Sequence, residues 1–237
     1  MRHPFESFQR IYVINLASRT DRRAEMVEQL SSIGLGFDSE TVRLFEAVKP
    51  TDAGFFPSVG SRGCFMSHLG VLRDAVEAKL DRILIVEDDL NFASDFAQRS
   101  ARLLPRIAAA DWGMFYGGHE VVGELEALDG GANIQPEVAV QTSHFLALQG
   151  PTVRAAADYL AAMLRRPAGD PAGGPMHVDG AYSWFRRAHP SVRTWIATPP
   201  LGYQRASRTD IHALRWFDRT LVIRDAVSML RRVLNRR

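Results

Sequence analysis

The chain of 237 residues, 46% hydrophobic and 24% charged with a formal charge of +2, has the make-up of one globular domain, which excludes disordered, collagen-like and coiled-coil readings. A single cysteine, Cys64, rules out an internal disulfide. No apolar stretch nears the roughly 18 residues of a membrane span, and the opening MRHPFESFQR lacks the apolar core of a signal peptide, so a cytoplasmic location is expected.

Residues 10–16 (RIYVINL) read as a strand, followed by a turn in which Ser18 caps a helix with Asp21 three residues on. That helix is expected to bury Met26, Val27, Leu30 and Ile33 and to end at Gly34. A second strand covers residues 42–48, and a Gly/Pro-rich loop covers 50–63. Phe65, Leu69, Leu72, Val76 and Leu80 then recur at helical spacing before a compact strand at 82–86. Further on, 112–116, 143–148 and 192–196 read as strands, 152–164, 178–187 and 211–234 as helices, and 165–175 as a loop. Strand and helix alternate, which predicts an α/β fold with a mostly parallel, Rossmann-like sheet, helices on both faces, and a ligand site beyond the carboxyl ends of the strands. The domain is expected to span residues 1–210.

The sharpest chemical signal is Glu87-Asp88-Asp89, directly after the strand Ile83-Leu84-Ile85-Val86. On an extended chain Glu87 and Asp89 point one way and Asp88 the other. Two converging carboxylates need a positive partner, and Mg²⁺ or Mn²⁺ takes oxygen ligands of this kind. The alternative is a solvated acidic turn. Arg19, Arg22 and Arg23 stand near the start of the first helix, where guanidinium and backbone N–H groups can meet phosphate; otherwise they are ordinary surface arginines. Cys64 and His68, four apart, share a helix face and raise a Cys/His nucleophile as a further option.

Taken together, Ile11-Tyr12-Val13-Ile14-Asn15-Leu16 with Arg19 and Arg22, then Gly63-Cys64-Phe65-Met66-Ser67-His68-Leu69, then Ile85-Val86-Glu87-Asp88-Asp89 resemble glycosyltransferase family 25, the family of bacterial lipooligosaccharide galactosyltransferases. The likeness covers about residues 10–95 and continues weakly at Asp179 and in 199–212 (PPLGYQRASRTDIH). It implies a GT-A-like fold, a UDP-sugar donor, a glycan or lipid-linked acceptor such as lipooligosaccharide core, and a bound divalent metal. By that resemblance Glu87 and Asp89 hold Mn²⁺ or Mg²⁺ against the donor diphosphate, Asn15, Arg19 and Arg22 lie near the nucleotide, and Ser67 with His68 builds the floor of the donor pocket. His212 or Asp210 supplies a late metal or diphosphate contact. One departure stands out: the family's G-E-x-G-C appears here as Gly60-Ser61-Arg62-Gly63-Cys64, with serine in place of the acid.

The resemblance further implies an inverting transfer, in which a carboxylate takes the acceptor hydroxyl's proton; Asp179 is the first candidate for that base and Asp88 the second. Residues 201–237 carry nine arginines and three aspartates, +6 against −4 for the rest of the chain. The basic helix within 211–237 reads either as peripheral on an anionic inner-membrane surface or as packed on the core. Nucleic acid is not an expected partner, since no recognition motif accompanies the charge. A non-catalytic nucleotide-sugar or glycan-binding protein of the same fold is the alternative to the enzyme. Phosphoryl transfer by the same acids has no P-loop to support it.

Overall fold

The computed structural model describes residues 5–121 and 130–205. The elements run β1 (Arg10–Asn15), α1 (Thr20–Ser32), β2 (Val42–Glu46), α2 (Val59–Glu77), β3 (Arg82–Glu87), β4 (Leu90–Phe92), α3 (Phe96–Ala109), β5 (Met114–Val121), β6 (Gly130–Ile134), β7 (Val140–Gln149), α4 (Pro151–Met163), α5 (Val178–Ala188), β8 (Thr194–Thr198) and β9 (Gly202–Gln204). Seven strands form one sheet in the order β2-β1-β3-β7-β5-β8-β6, and β4 pairs with β9 in a small ribbon. Among the described residues β1, β2, β3, β5 and β8 point the same way while β6 and β7 oppose them. The expected α/β class with a mostly parallel sheet is therefore observed.

Strand alternation splits the core in two. Tyr12, Ile14, Ile83 and Ile85 face a cluster completed by Phe65, Leu69 and Leu72 of α2, Leu160 of α4 and Phe185 of α5. Ile11, Val13, Leu84 and Val86 face the other, with Met26 and Leu30 of α1 and Leu103, Leu104 and Ile107 of α3. β-branched and aliphatic runs buried on both faces are what a central strand between two helical layers requires.

Local details depart from the sequence reading. The residue before α1 is Arg19, not Ser18, and no side chain caps the helix; Asp21 is instead gripped by the Arg19 guanidinium at 2.8 and 2.9 Å. Val27 is exposed, and the buried stripe of α1 runs Arg22, Met26, Leu30. Gly34 does terminate the helix, at φ +77°. The loop expected over 50–63 is shorter, because α2 begins at Val59 behind an N-capping Ser58. α3 was not expected, although Phe96, Ser100, Leu103, Leu104 and Ile107 make a helical stripe; Pro105 within it masks the pattern. The basic helix expected in 211–237, together with Asp210 and His212, lies outside the described residues.

Candidate active site

β1 and β3 are parallel neighbours that stop together, with Ile14 opposite Glu87. Asp88 N–H donates to the Ile14 carbonyl at 3.1 Å, and Asp88 and Asp89 form the turn leading into β4. Because β3 ends at Glu87, strand alternation no longer governs the two aspartates. The expectation that Asp88 faces away from Asp89 is corrected: Nη1 of Arg22 lies 2.8 Å from Oδ1 of Asp88 and 3.4 Å from Oδ2 of Asp89. Arg22 of α1 thus stands between Asp88 and Asp89, not between the expected pair Glu87 and Asp89. Nor is this a solvated acidic turn, since Asp88 is 6% and Asp89 3% exposed.

All three acids line a cavity of about 490 Å³ beyond the carboxyl ends of β1, β2 and β3, where ligands of such sheets bind. Arg19, Arg22 and Lys49 bring positive charge to its wall, and Val48, Pro50, Val59, Gly63, Cys64 and Ser67 complete much of it. Gly63 is required by space: a Cβ there would come within 2.7 Å of the Val48 carbonyl oxygen.

The acids are not equivalent. Oε1 of Glu87 is 3.2 Å from Nε2 of His68 and accepts from the Ser143 hydroxyl at 3.2 Å. Burial works to raise the Glu87 carboxyl, but His68, His144 and Ser143 outweigh it and hold it below its ordinary value. Asp88 accepts from Asn15 Nδ2 at 2.7 Å and from Arg22, so both its oxygens are engaged. Asp89 Oδ2 accepts from Gln204 Nε2 at 3.1 Å, whereas its buried Oδ1 accepts no hydrogen bond from the described residues. Burial, then the charge of Glu87, pushes Asp89 up to about 7 against the pull of Arg22. Burial and the surrounding acids also raise the Cys64 thiol well above its usual value, which removes the thiolate that a Cys/His nucleophile needs.

Of the residues expected at the nucleotide, Arg19, Arg22 and Ser67 line the cavity. Asn15 sits behind Asp88, bonded also to the Arg19 carbonyl and to Arg23 Nε. Ser67 accepts from Val48 N–H and donates to the Gly63 carbonyl, tying the loop after β2 to α2. His68 is fully buried between Glu87 and the Tyr182 hydroxyl. Asp179 lies outside the cavity lining, in the first turn of α5, where it accepts from the N–H of Thr142 at 3.2 Å and of Gly180 at 2.7 Å. It nonetheless neighbours Glu87 through β7: Thr142 touches Asp179 and the next residue, Ser143, touches Glu87. Thr142 has φ +65°, a strained value for a β-branched residue. Sequence reasoning missed Ser143, Tyr182 and Gln204. Only the first had a local signal, as a polar pair Ser143-His144 opening an otherwise apolar strand run.

Ser61, which replaces the acid of the family pattern, is turned into the start of α2. Its N–H donates to Ser58 Oγ at 3.0 Å and its Oγ accepts from Ser58 N–H at 2.8 Å, a capping box. The third helical position of such a box usually holds Glu or Gln. Serine does that work here, and Ser61 is not among the cavity residues.

Buried acids and basic side chains thus surround a cavity beyond the strand ends of an α/β sheet. Residues 8–118, just under half of the chain, match the family model "Glycosyltransferase family 25 (LPS biosynthesis protein)". The chain is 30% identical over 133 residues to the human "Inactive glycosyltransferase 25 family member 3", covering 48% of this chain and 22% of that protein. It is 28% identical over 137 residues to human procollagen galactosyltransferase 2, covering 48% of this chain and 21% of that one. The chain thus matches about a fifth of the length of these relatives. Among solved structures, a glycosyltransferase involved in glycosylation of the major capsid of PBCV-1 aligns at TM-score 0.42 and 10% identity, over 84% of this chain and 96% of that one. That likeness is too slight to carry an argument.

Proposed function

We propose that the protein is a metal-dependent inverting glycosyltransferase that moves a sugar, galactose in the first instance, from a UDP-sugar to a glycan acceptor such as lipooligosaccharide core. The observation that carries this reading is the cavity beyond β1, β2 and β3, where Glu87, Asp88 and Asp89 face Arg19, Arg22 and Lys49 within a family 25 segment. Galactose is favoured by the activity named for procollagen galactosyltransferase 2.

The lining offers the carboxylate oxygens that a hard divalent cation takes, and the buried Asp89 Oδ1 accepts no hydrogen bond from the described residues. Glu87 and Asp89 would hold Mn²⁺ or Mg²⁺, with His212 from the undescribed segment as a further candidate. The chemistry such an ion supplies is neutralisation of the departing diphosphate. Arg19 and Lys49 of the same lining would bind the phosphates, and Arg22 offsets the charges of Asp88 and Asp89. Asn15 fixes Asp88 from behind. Asp88 is tied to Arg22 and Asn15, and Asp179 is the proposed base on the acceptor side. The protein's place is the cytoplasm, or the inner face of the membrane through its basic 211–237 segment; no helix among the described residues is long and apolar enough to cross a membrane.

A second reading, a nucleotide-sugar or glycan-binding protein without turnover, is favoured by the relative named inactive. The experiment that separates them is release of UDP from a panel of UDP-sugars, with Mn²⁺ or EDTA, for wild type and Asp89→Ala, using slow donor hydrolysis in place of the acceptor. Metal-dependent release from one donor, lost in the variant, supports the enzyme. Folded protein that binds UDP but releases none from any donor, with a glycan acceptor mixture present, overturns it in favour of the binding protein.

A further inference from the structure

One set of side chains at the cavity is unlike the hard-cation acids. Cys64 and His68 stand four residues apart on α2 and so project from one face of a rigid helix. The Cys64 Sγ, a His68 ring nitrogen and a Glu87 carboxylate oxygen all lie within 4.8 Å of one another. A tetrahedral zinc ion, with bonds of about 2.0–2.3 Å, keeps its ligand atoms roughly 3.5 Å apart, so small rotamer shifts close this set around an ion.

The surroundings fix His68 and Glu87 for that task, and the ion itself displaces the Cys64 proton on binding. His68 Nδ1 is 3.3 Å from the Tyr182 hydroxyl, with the two rings edge to face at 5.7 Å, which fixes the imidazole and leaves Nε2 turned to Glu87. Metal-binding imidazoles are held in this way by a partner on their other nitrogen. Ser143 fixes Glu87 by donating to Oε1. Cys64 and Glu87 both line the cavity, so remaining coordination positions open towards it. Buried Asp88 and Asp89 add negative charge close by. Sulfur, nitrogen and one carboxylate oxygen suit a borderline ion such as Zn²⁺ or Co²⁺, whereas Mg²⁺ takes oxygen alone.

We propose that Cys64, His68 and Glu87 form a three-ligand site for a zinc-type ion with an open position facing the cavity. The site does not depend on the transferase reading. It shares Glu87 with the proposed Mn²⁺ or Mg²⁺ set, so a zinc-type ion bound here takes a carboxylate from that set and lowers Mn²⁺-supported turnover.

Cys64 is the chain's single cysteine, so a thiolate-to-cobalt charge-transfer band can arise from no other residue. The test titrates metal-free protein with Co²⁺ and then Zn²⁺, with wild type beside Cys64→Ser and near-UV circular dichroism to confirm that both are folded. The expected result is a saturable charge-transfer band that Zn²⁺ bleaches; in the variant the band is absent and Zn²⁺ binds at least about tenfold more weakly. No charge-transfer band in wild type overturns the proposal, as does Zn²⁺ affinity equal in the two proteins. UDP release assayed with Mg²⁺ fails or succeeds separately: a band without UDP release sinks the transferase and leaves this site, and UDP release without a band does the reverse.

Discussion

Two cavities of nearly equal size lie at different parts of the sheet, about 490 Å³ beyond the carboxyl ends of β1 to β3 and about 500 Å³ beside the amino ends of β3, β5 and β8. Their charges differ in kind. In the first, Arg22 is buried against buried Asp88 and Asp89. In the second, Arg193 meets Asp111 at 3.4 Å with side chains 61% and 79% exposed, and Arg82 lies over the Trp112 ring. Volume therefore does not mark the functional end. Charge kept out of water separates the two, and a buried ion cluster at a cavity is what made the first the site proposed above.

The contrast can be broken most directly by activity. Asp89→Ala is expected to lower Mn²⁺-supported UDP release by at least about a hundredfold, as loss of a contact to developing charge does. Asp111→Ala at the other cavity is expected to leave it unchanged; equal losses in the two would dissolve the distinction.

Stability sharpens it next. Arg22→Met leaves Asp88 and Asp89 buried without their cation and is expected to cost about 3–5 kcal/mol in urea unfolding. Arg193→Met, at an exposed pair, is expected to cost under about 1 kcal/mol.

A smaller effect follows from pH. Asp89 sits at about 7 in the folded chain against 3.8 for a free aspartate. Its folded carboxyl holds a proton through a range where the unfolded one has lost it, so its charge destabilises the fold as pH rises to about 7, fully above that value. Asp89→Asn is thus expected to be the more stable protein above pH 7, by on the order of 1 kcal/mol. The gain should shrink as pH falls towards 3.8 and vanish below it; thermal midpoints across that range check it, and a gain that persists in acid would show that the ionised form is not the source. The smallest change is expected at Ser61→Glu. Both residues complete a capping box, so stability should shift by less than about 1 kcal/mol, and donor preference should stay the same, while Ser61→Ala loses about 1 kcal/mol.

How much of this was legible in the chain depends on the range of the forces involved. β1, β3 and the helical stripes of α1 and α2 were readable because burial on a regular element leaves a period in the sequence. α3 was not, since Pro105 contradicts a stripe that tertiary packing against β6 and the second core cluster sustains. The acid turn announced itself by three consecutive carboxylates, yet their orientation was misread, because alternation ends where β3 ends. That the acids' positive partner is Arg22, and that Glu87 leans on His68 and Ser143, depends on residues 66, 19 and 56 positions away.

The sequence by itself determined the class of fold, the strand that delivers the acids and the likeness to glycosyltransferase family 25, all written in short-range patterns of residue type. Only the tertiary structure decided which carboxylate is compensated, which has a buried oxygen accepting no hydrogen bond from the described residues, and that Cys64, His68 and Glu87 meet. Those outcomes depend on solvent exclusion and on distances of a few ångströms between elements remote in the chain, and neither quantity is a property of any local stretch of residues.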